Sequence, residues 1–495
     1  MTRIARPLLL ASLAALGVQA LAPSAFAETL RVRAGESIAK AIEAAPPGSV
    51  IEVEPGTYHE ALVVDTPGIT LRGLVSGARR PLLDGRGKLN DAVIASGSPF
   101  TMTGFALQHY RGNGVTTQQV DGATLSDLTI DDTGRYGVYP IQSRNVSITH
   151  CSVTRISDAG IYVGESERAL VAYNEVFGNV AGIEIENTND ADVHDNVAYD
   201  NTAGILVFVL PGKVLKEAKR NHLHHNWVLH NNTANFGDPD SIIGGLPHGI
   251  GMLVMGADDT LLENNWVRGN HSSGIGVIRL AADEAAKDPE LEPHADGTRV
   301  LFNYVVGNGT QPHPSIAKSY GGGLDFGWDG TGRDNCSSLP EASLRRGVPL
   351  GVCMPAESAR AGERGAASLA RSGRAASAPA LAHHASALAA VFVPPAPPAD
   401  LSGADAVVRI RAMAYEPKHL RVKSGATVAW VNDDSAVHTV TSGHERTPTF
   451  APLQSPVMTR GQIYRHSFRE RGTFEYLCLP HIDQLPMREA TVTVE

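Results

Sequence analysis

Apolar and polar positions in the first three hundred residues recur with a period far longer than a helical turn. Gly137-Val138-Tyr139, Gly160-Ile161-Tyr162, Gly182-Ile183-Glu184 and Gly204-Ile205-Leu206 repeat at offsets of 23, 22 and 22 residues. Each is followed by a polar turn, a second β-rich run and an Asn-centred corner, at Asn174, Asn196, Asn226, Asn265 and Asn303. Cys151 holds the equivalent slot one turn earlier, and Asn179 and Asn201 form a second Asn series. Within Gly160-Ile161-Tyr162-Val163 side chains alternate between two faces, the period of a strand. A unit of about 22 residues with three short strands predicts one coil of a right-handed parallel β-helix, with like residues stacked about 4.8 Å apart. An Asn at each corner is expected to bond the neighbouring coil. Cys151 is expected to be an inert, inward-facing thiol in the same stack.

The ends and irregularities of the repeat carry their own expectations. Ile38–Ala45 reads as a short amphipathic helix with Ser37 as its N-cap, covering the apolar first coil. From Cys151 onward the corners are spaced 23, 22, 30, 39 and 38 residues apart. The excess lies near Leu210–Arg220, Asn235–His248 and Ala281–Gly297. The first and third insertions leave after the same strand of the coil, and the second leaves elsewhere. Gly321–Gly327 closes the repeats. Cys336 and Cys353, 17 residues apart, read as a disulfide. Residues 357–404 are dominated by Ala, Ser, Gly, Arg and Pro, a linker composition. From Asp405 short alternating runs return: Val407–Ile410, Leu420–Val422, Thr427–Val431, Thr473–Leu477 and Ala490–Val494. They predict a β-sandwich. The chain is thus all-β, with a β-helix over 28–330, a disulfide-containing segment and linker over 331–404, and a sandwich over 405–495.

Composition narrows the compartment and the partners. The 495 residues carry 42 Lys plus Arg against 52 Asp plus Glu, a formal net charge of -10. That balance argues against nucleic acid, since no cationic surplus exists to displace counterions. Residues 1–27 read as a secretory signal: Arg3 and Arg6, an apolar run from Leu8 to Ala22, then Ala25-Phe26-Ala27. A periplasmic location follows, with disulfides permitted and no membrane span after signal removal.

The sharpest chemical signal lies in the sandwich. His438 follows Trp430-Val431-Asn432-Asp433-Asp434, and Cys478-Leu479-Pro480-His481 and Met487 come forty residues later. One thiolate, two imidazoles and a weak axial thioether make a type 1 copper site. Asn432 and the backbone after Cys478 are candidate supports for the ligands. Leu479, Pro480, Leu485 and Pro486 form a candidate apolar docking patch. In the β-helix, Asp131, Asp132 and Arg135 cluster near one turn, and His222, His224 and His225 precede His230, His248 and His271. His222 and His224 point to one face of a strand and are candidate metal ligands. With no carboxylate partner set by spacing, the group reads first as a solvated polar edge.

Two resemblances add to this reading. Residues 28–329, notably Gly204–Gly212 and Asn231–Phe236, resemble an exported bacterial family of parallel β-helix repeat proteins. They are more distantly similar to the periplasmic β-helix proteins that assist copper loading of nitrous-oxide reductase, and to polysaccharide lyases and epimerases. Residues 405–495 resemble plastocyanin, pseudoazurin and amicyanin-type cupredoxins. The motifs are Tyr415-Glu416-Pro417, Val422–Val428, Trp430-Val431-Asn432, His438-Thr439-Val440 and Phe474–His481. The second resemblance implies a Greek-key sandwich binding one copper through His438, Cys478, His481 and Met487. It also implies one-electron exchange with a redox partner such as a c-type cytochrome or a copper enzyme. Met487 stands six residues after His481, whereas these families place the axial Met three to five after; Gln484 is the alternative axial ligand. The alternatives are a polysaccharide-binding or polysaccharide-cleaving β-helix with an accessory cupredoxin, and a copper-delivery protein.

Overall fold

The computed structural model describes residues 27–339 except 77–78, residues 350–353, and residues 401–495 except 412, 435–437, 446, 450, 456–457, 459–460 and 482–484. The expected signal up to Phe26, most of the expected linker, and Gln484 lie outside the described residues.

The N-terminal part is a solenoid of three parallel sheets. The first has 13 strands, from Thr29–Val32 to Gly351–Val352. The second and third have 10 each, from Leu62–Val64 to Leu324–Trp328 and from Thr57–Tyr58 to Tyr304–Val306. One coil runs through Arg144–Thr149 in the first sheet, Ser152–Thr154 in the third and Ala159–Gly164 in the second. Each strand pairs in register with its counterpart one coil on, so Ile161, Ile183, Ile205, Met252, Ile275 and Phe326 stack as one inner column. All six are buried.

The corners explain the Asn repeat. The chain turns from the first sheet to the third through a left-handed residue, at His150, Tyr173, Asp195, His225, Asn264 and Phe302 (φ 52–60°). That conformation costs an L-residue about 1–2 kcal/mol. It also points the next backbone N–H along the solenoid axis, where the Asn of the following coil accepts it: Cys151 N to Asn174 Oδ1 (2.9 Å), Asn174 N to Asn196 Oδ1 (3.0 Å). The Asn side chains also bond one another, from Asn174 through Asn196, Asn226 and Asn265 to Asn303. The second series extends beyond the expected Asn179 and Asn201 to Asn231, Asn270 and Asn308. Cys151 is buried in the ladder, and burial pushes its thiol up to about 12.

The ends differ in how far the sequence foretold them. The helix forms over Ile38–Ala44, and Ser37 Oγ accepts from Lys40 N (3.2 Å). Glu60 adds a second cap, accepting from Ile38 N (3.1 Å) and Ala39 N (2.9 Å). At the other end the first sheet runs past residue 330. Cys336–Ser337 pairs with both Arg299–Leu301 and Gly351–Val352. The Cys336–Cys353 disulfide (S–S 2.05 Å) therefore lies in the last rungs of the solenoid, not in a segment beyond it. The repeat was invisible there because the Gly-apolar signature belongs to the second sheet, which ends at Trp328.

Insertions sit where the spacing placed them. The first and third follow second-sheet strands Ala203–Phe208 and Ser273–Ile278, and they meet: Gly212 N donates to Asp288 Oδ2 (3.1 Å), which also pairs with Lys216. The second follows Trp227–Leu229 and lays Ile243 and Leu246 over an apolar outer cluster of Tyr162, Ala181, Leu206 and Phe208.

The C-terminal part is a two-sheet sandwich. Ala414–Glu416, Ala406–Arg411, Thr427–Asn432 and Ile463–Ser467 form one sheet in that order. His419–Val422, Ala490–Val494, Gly472–Leu477, Thr441–His444 and Thr447–Pro448 form the other. Trp430, Tyr415, Tyr476 and Phe468 fill the space between them. Among the described residues no helix is long and apolar enough to cross a membrane.

Candidate metal centre

At one end of the sandwich three side chains from two loops converge. His438 sits on the short antiparallel bridge to Met458, Cys478 directly follows strand Gly472–Leu477, and His481 closes the turn Leu479–His481. Cys478 Sγ lies 3.5 Å from His438 Nδ1 and 3.4 Å from His481 Nδ1. Metal bonds of about 2.0 Å to N and 2.3 Å to S, at angles of about 110–120°, would put such atoms about 3.5–3.7 Å apart. The donor set and its spacing thus fit one metal ion. Met487 is buried in the same cluster, and its carbonyl accepts from Cys478 N (2.7 Å).

The surroundings orient the three groups. Asp434 Oδ2 accepts from His438 Nε2 (2.9 Å) and Met413 N (3.0 Å), which turns His438 Nδ1 toward the thiol. Asn432 Oδ1 accepts from Asp434 N (2.9 Å) and Asn432 Nδ2 donates to Met458 O (2.7 Å), so it braces the His438 side. The two ligand-bearing loops are joined by Thr439: its N–H donates to Cys478 Sγ (3.3 Å), and its Oγ1 accepts from Leu479 N (2.8 Å). Asp434 and Thr439 were not among the sequence candidates; only the position of Thr439 next to His438 hinted at its role. Burial pushes the Cys478 thiol up to about 12, and burial together with His438 pushes His481 well down. The thiol therefore keeps its proton, and His481 stays neutral, until a cation enters.

Of the expected docking patch, Leu479 is not exposed. Leu479 is 6% exposed and packs, with Leu477, against Val197, Tyr199, Trp227 and Leu229 on the outer face of the third solenoid sheet. There Trp227 stacks on Trp266 (4.8 Å) and Phe177 on Tyr199 (5.1 Å), because in-register coils place like side chains above one another. That aromatic platform covers the leucines beside Cys478. Pro486 is exposed, and the side chains of Pro480 and Leu485 are outside the described ones.

A two-sheet sandwich with a buried Cys and two His at one pole defines the mononuclear copper proteins of the cupredoxin class. Comparison with known proteins agrees. Residues 404–495 match the copper binding proteins of the plastocyanin/azurin family, 92–242 the right handed beta helix region, and 188–321 a disaggregatase related family. Amicyanin of Paracoccus denitrificans is 36% identical over 99 residues, 20% of this chain and 70% of that protein. Plastocyanin of Scenedesmus fuscus is 29% identical over 89 residues, 17% of this chain and 89% of that protein. A solved purple cupredoxin from Nitrosopumilus maritimus is 32% identical and covers 18% of this chain and 100% of its own, with a TM-score of 0.17. Through its C-terminal domain the chain belongs to the plastocyanin/azurin family of copper-binding proteins, whose cofactor is a type 1 copper, and it carries this domain on a right-handed β-helix.

The solenoid candidates scatter. Asp131 pairs with Arg155 (2.5 Å), and burial raises its carboxyl to about 6. Asp132 faces His109 (3.8 Å) across a shallow groove. Arg135 instead lines a cleft of about 580 Å³ with Asp91, Arg111 and Asp158, roofed by Phe236 and Ile243 of the second insertion. Burial raises Asp158 there to about 7. His222, His224 and His225 lie together, whereas His248 packs edge-on against His313 (5.1 Å).

Proposed function

We propose that this is an exported, periplasmic electron-transfer protein whose copper is held by His438, Cys478 and His481, with Met487 as axial ligand. The observation that carries the reading is the convergence of two imidazole Nδ1 atoms on one buried thiol at 3.4 and 3.5 Å. Copper in such a set cycles between Cu(I) and Cu(II). The protein's part is to keep the donors where either oxidation state accepts them. Asp434 and Thr439 anchor both loops to the sandwich, so little rearrangement accompanies gain or loss of an electron. The burial of Met487 beside Cys478 supports it as the axial group. The redox partner is a protein such as a c-type cytochrome or a copper enzyme, and the solenoid is the scaffold on which the copper domain docks through Leu477 and Leu479. Adding Cu(II) to the apoprotein should produce an intense visible charge-transfer band that Cys478→Ser abolishes, with reversible one-electron reduction. Its absence from well-folded protein would sink the reading.

A second reading is favoured by the cleft beside Arg135. A carboxyl near neutrality next to a guanidinium suits general acid work on an acidic polysaccharide. It predicts cleavage or epimerisation of uronate polymers that Asp158→Asn abolishes while leaving the visible band intact.

A further inference from the structure

The histidines on the outer face of the first sheet acquire partners that their spacing did not reveal. Asp192–His194 and His222–His224 are in-register neighbours: Asp192 opposes His222, and His194 opposes His224. Val193 and Leu223 point into the core, so the four polar side chains project from one outer face. His194 lies flat on His224 (centroids 4.7 Å, 15°), and His222 lies 4.2 Å from His224. One ligand atom each from Asp192, His194 and His224 falls within 4.8 Å of the other two.

We propose that Asp192, His194 and His224 form a second metal site, on the outer face of the solenoid, for a divalent transition ion of the Cu(II) class. Two imidazoles and a carboxylate are the donors such an ion prefers. Each imidazole is held at its far side. His194 Nδ1 meets Asp195 Oδ2 (2.8 Å) and His224 Nδ1 meets His225 Nδ1 (2.8 Å), which leaves Nε2 of each as the ligand atom. His224 Nε2 already lies 2.9 Å from Asp192 Oδ1, the contact a metal would replace. Bonds of about 2.1 Å at angles of about 90–110° require ligand atoms about 3.0–3.4 Å apart, so the wider separations within this group would close by side-chain rotation. The three side chains are 16–20% exposed, enough to admit an ion from solvent.

His222 Nε2 is enclosed without a hydrogen bond, 3.5 Å from Glu263 Oε2, and stands ready as a further donor.

The test is copper stoichiometry in the full chain, purified without a polyhistidine tag and titrated with Cu(II) alone. Two equivalents are expected: one develops the visible band, the other adds only an electron paramagnetic resonance signal of larger parallel hyperfine splitting. His194→Ala/His224→Ala should lose the second equivalent and keep the band. Asp192→Asn, which preserves size and hydrogen bonding, should weaken it at least tenfold and carries the test if the double variant does not fold. Saturation of the unaltered chain at one equivalent, or a second equivalent that survives in the variants, overturns the site. Loss of the visible band alone would bear only on the C-terminal copper.

Discussion

Replacing Asp434 by Ala separates what holds the copper loop folded from what tunes its ligand. One carboxylate oxygen accepts both the His438 Nε2 proton (2.9 Å) and the Met413 N–H (3.0 Å), and Asp434 and His438 are both buried. Truncation leaves two buried donors without this acceptor, each costing about 1–3 kcal/mol. The Met413 part is the same with or without copper, so it lowers apoprotein stability only. The His438 part also frees the ring to flip or change tautomer, and loss of such an orienting partner weakens metal binding by about 10–100-fold. At 1.4 kcal/mol per decade that is about 1.4–2.8 kcal/mol. Cu(II) affinity is read by chelator competition at pH 7 with the visible band as signal, and apoprotein stability by thermal melting. Both should fall, while the band keeps its shape because Cys478 is untouched. Asp434→Asn, which retains one acceptor oxygen, should fall between wild type and Asp434→Ala. An affinity within twofold of wild type in Asp434→Ala would refute the orienting role.

Three further outcomes follow from the same structure. The Cys478 thiol, held near 12 by burial, must release its proton when Cu(II) binds, whereas His481 is already neutral. Apparent Cu(II) affinity should therefore rise about tenfold per pH unit from pH 6 to 8; a flat profile would contradict the buried, protonated thiol. Asn226→Ala removes the acceptor of Asn196 N (3.1 Å) and the donor to Val193 O (2.8 Å), and should cost about 2–4 kcal/mol, seen as a lower urea midpoint. Leu479→Glu buries a charge against the aromatic platform, forfeiting about 1.5–3 kcal/mol of apolar burial, and should release the copper domain from the solenoid. Small-angle scattering should then show a larger radius of gyration, with the visible band retained; an unchanged radius would argue against the docked arrangement.

Much of this molecule was legible as pattern. A period of about 22 residues, with Gly-apolar runs and Asn corners, specifies coils because each coil must satisfy its backbone with the next one. The same logic placed all three insertions. Ligand chemistry was legible too, since an imidazole, a thiol, a second imidazole and a thioether in that order are rare by chance. The pattern failed at the last rungs, around Cys336 and Cys353, where the stacked Gly column has already ended. It also missed the sandwich strands Thr441–His444 and Ile463–Ser467, whose polar residues pair for tertiary reasons.

Proximity between coils was beyond the reach of spacing. His222 and His224 lacked a carboxylate in their own run; Asp192 reaches them from 30 residues upstream, across a coil lengthened by an insertion. Likewise Leu479 reads as an exposed docking residue until the Trp227–Trp266 stack is seen to cover it. The chain by itself determined which residues repeat, which face inward and which atoms favour copper, because those depend on local period and donor chemistry. Only the tertiary structure decided which polar groups share a face and which surface remains open, because strand register and domain docking set those distances.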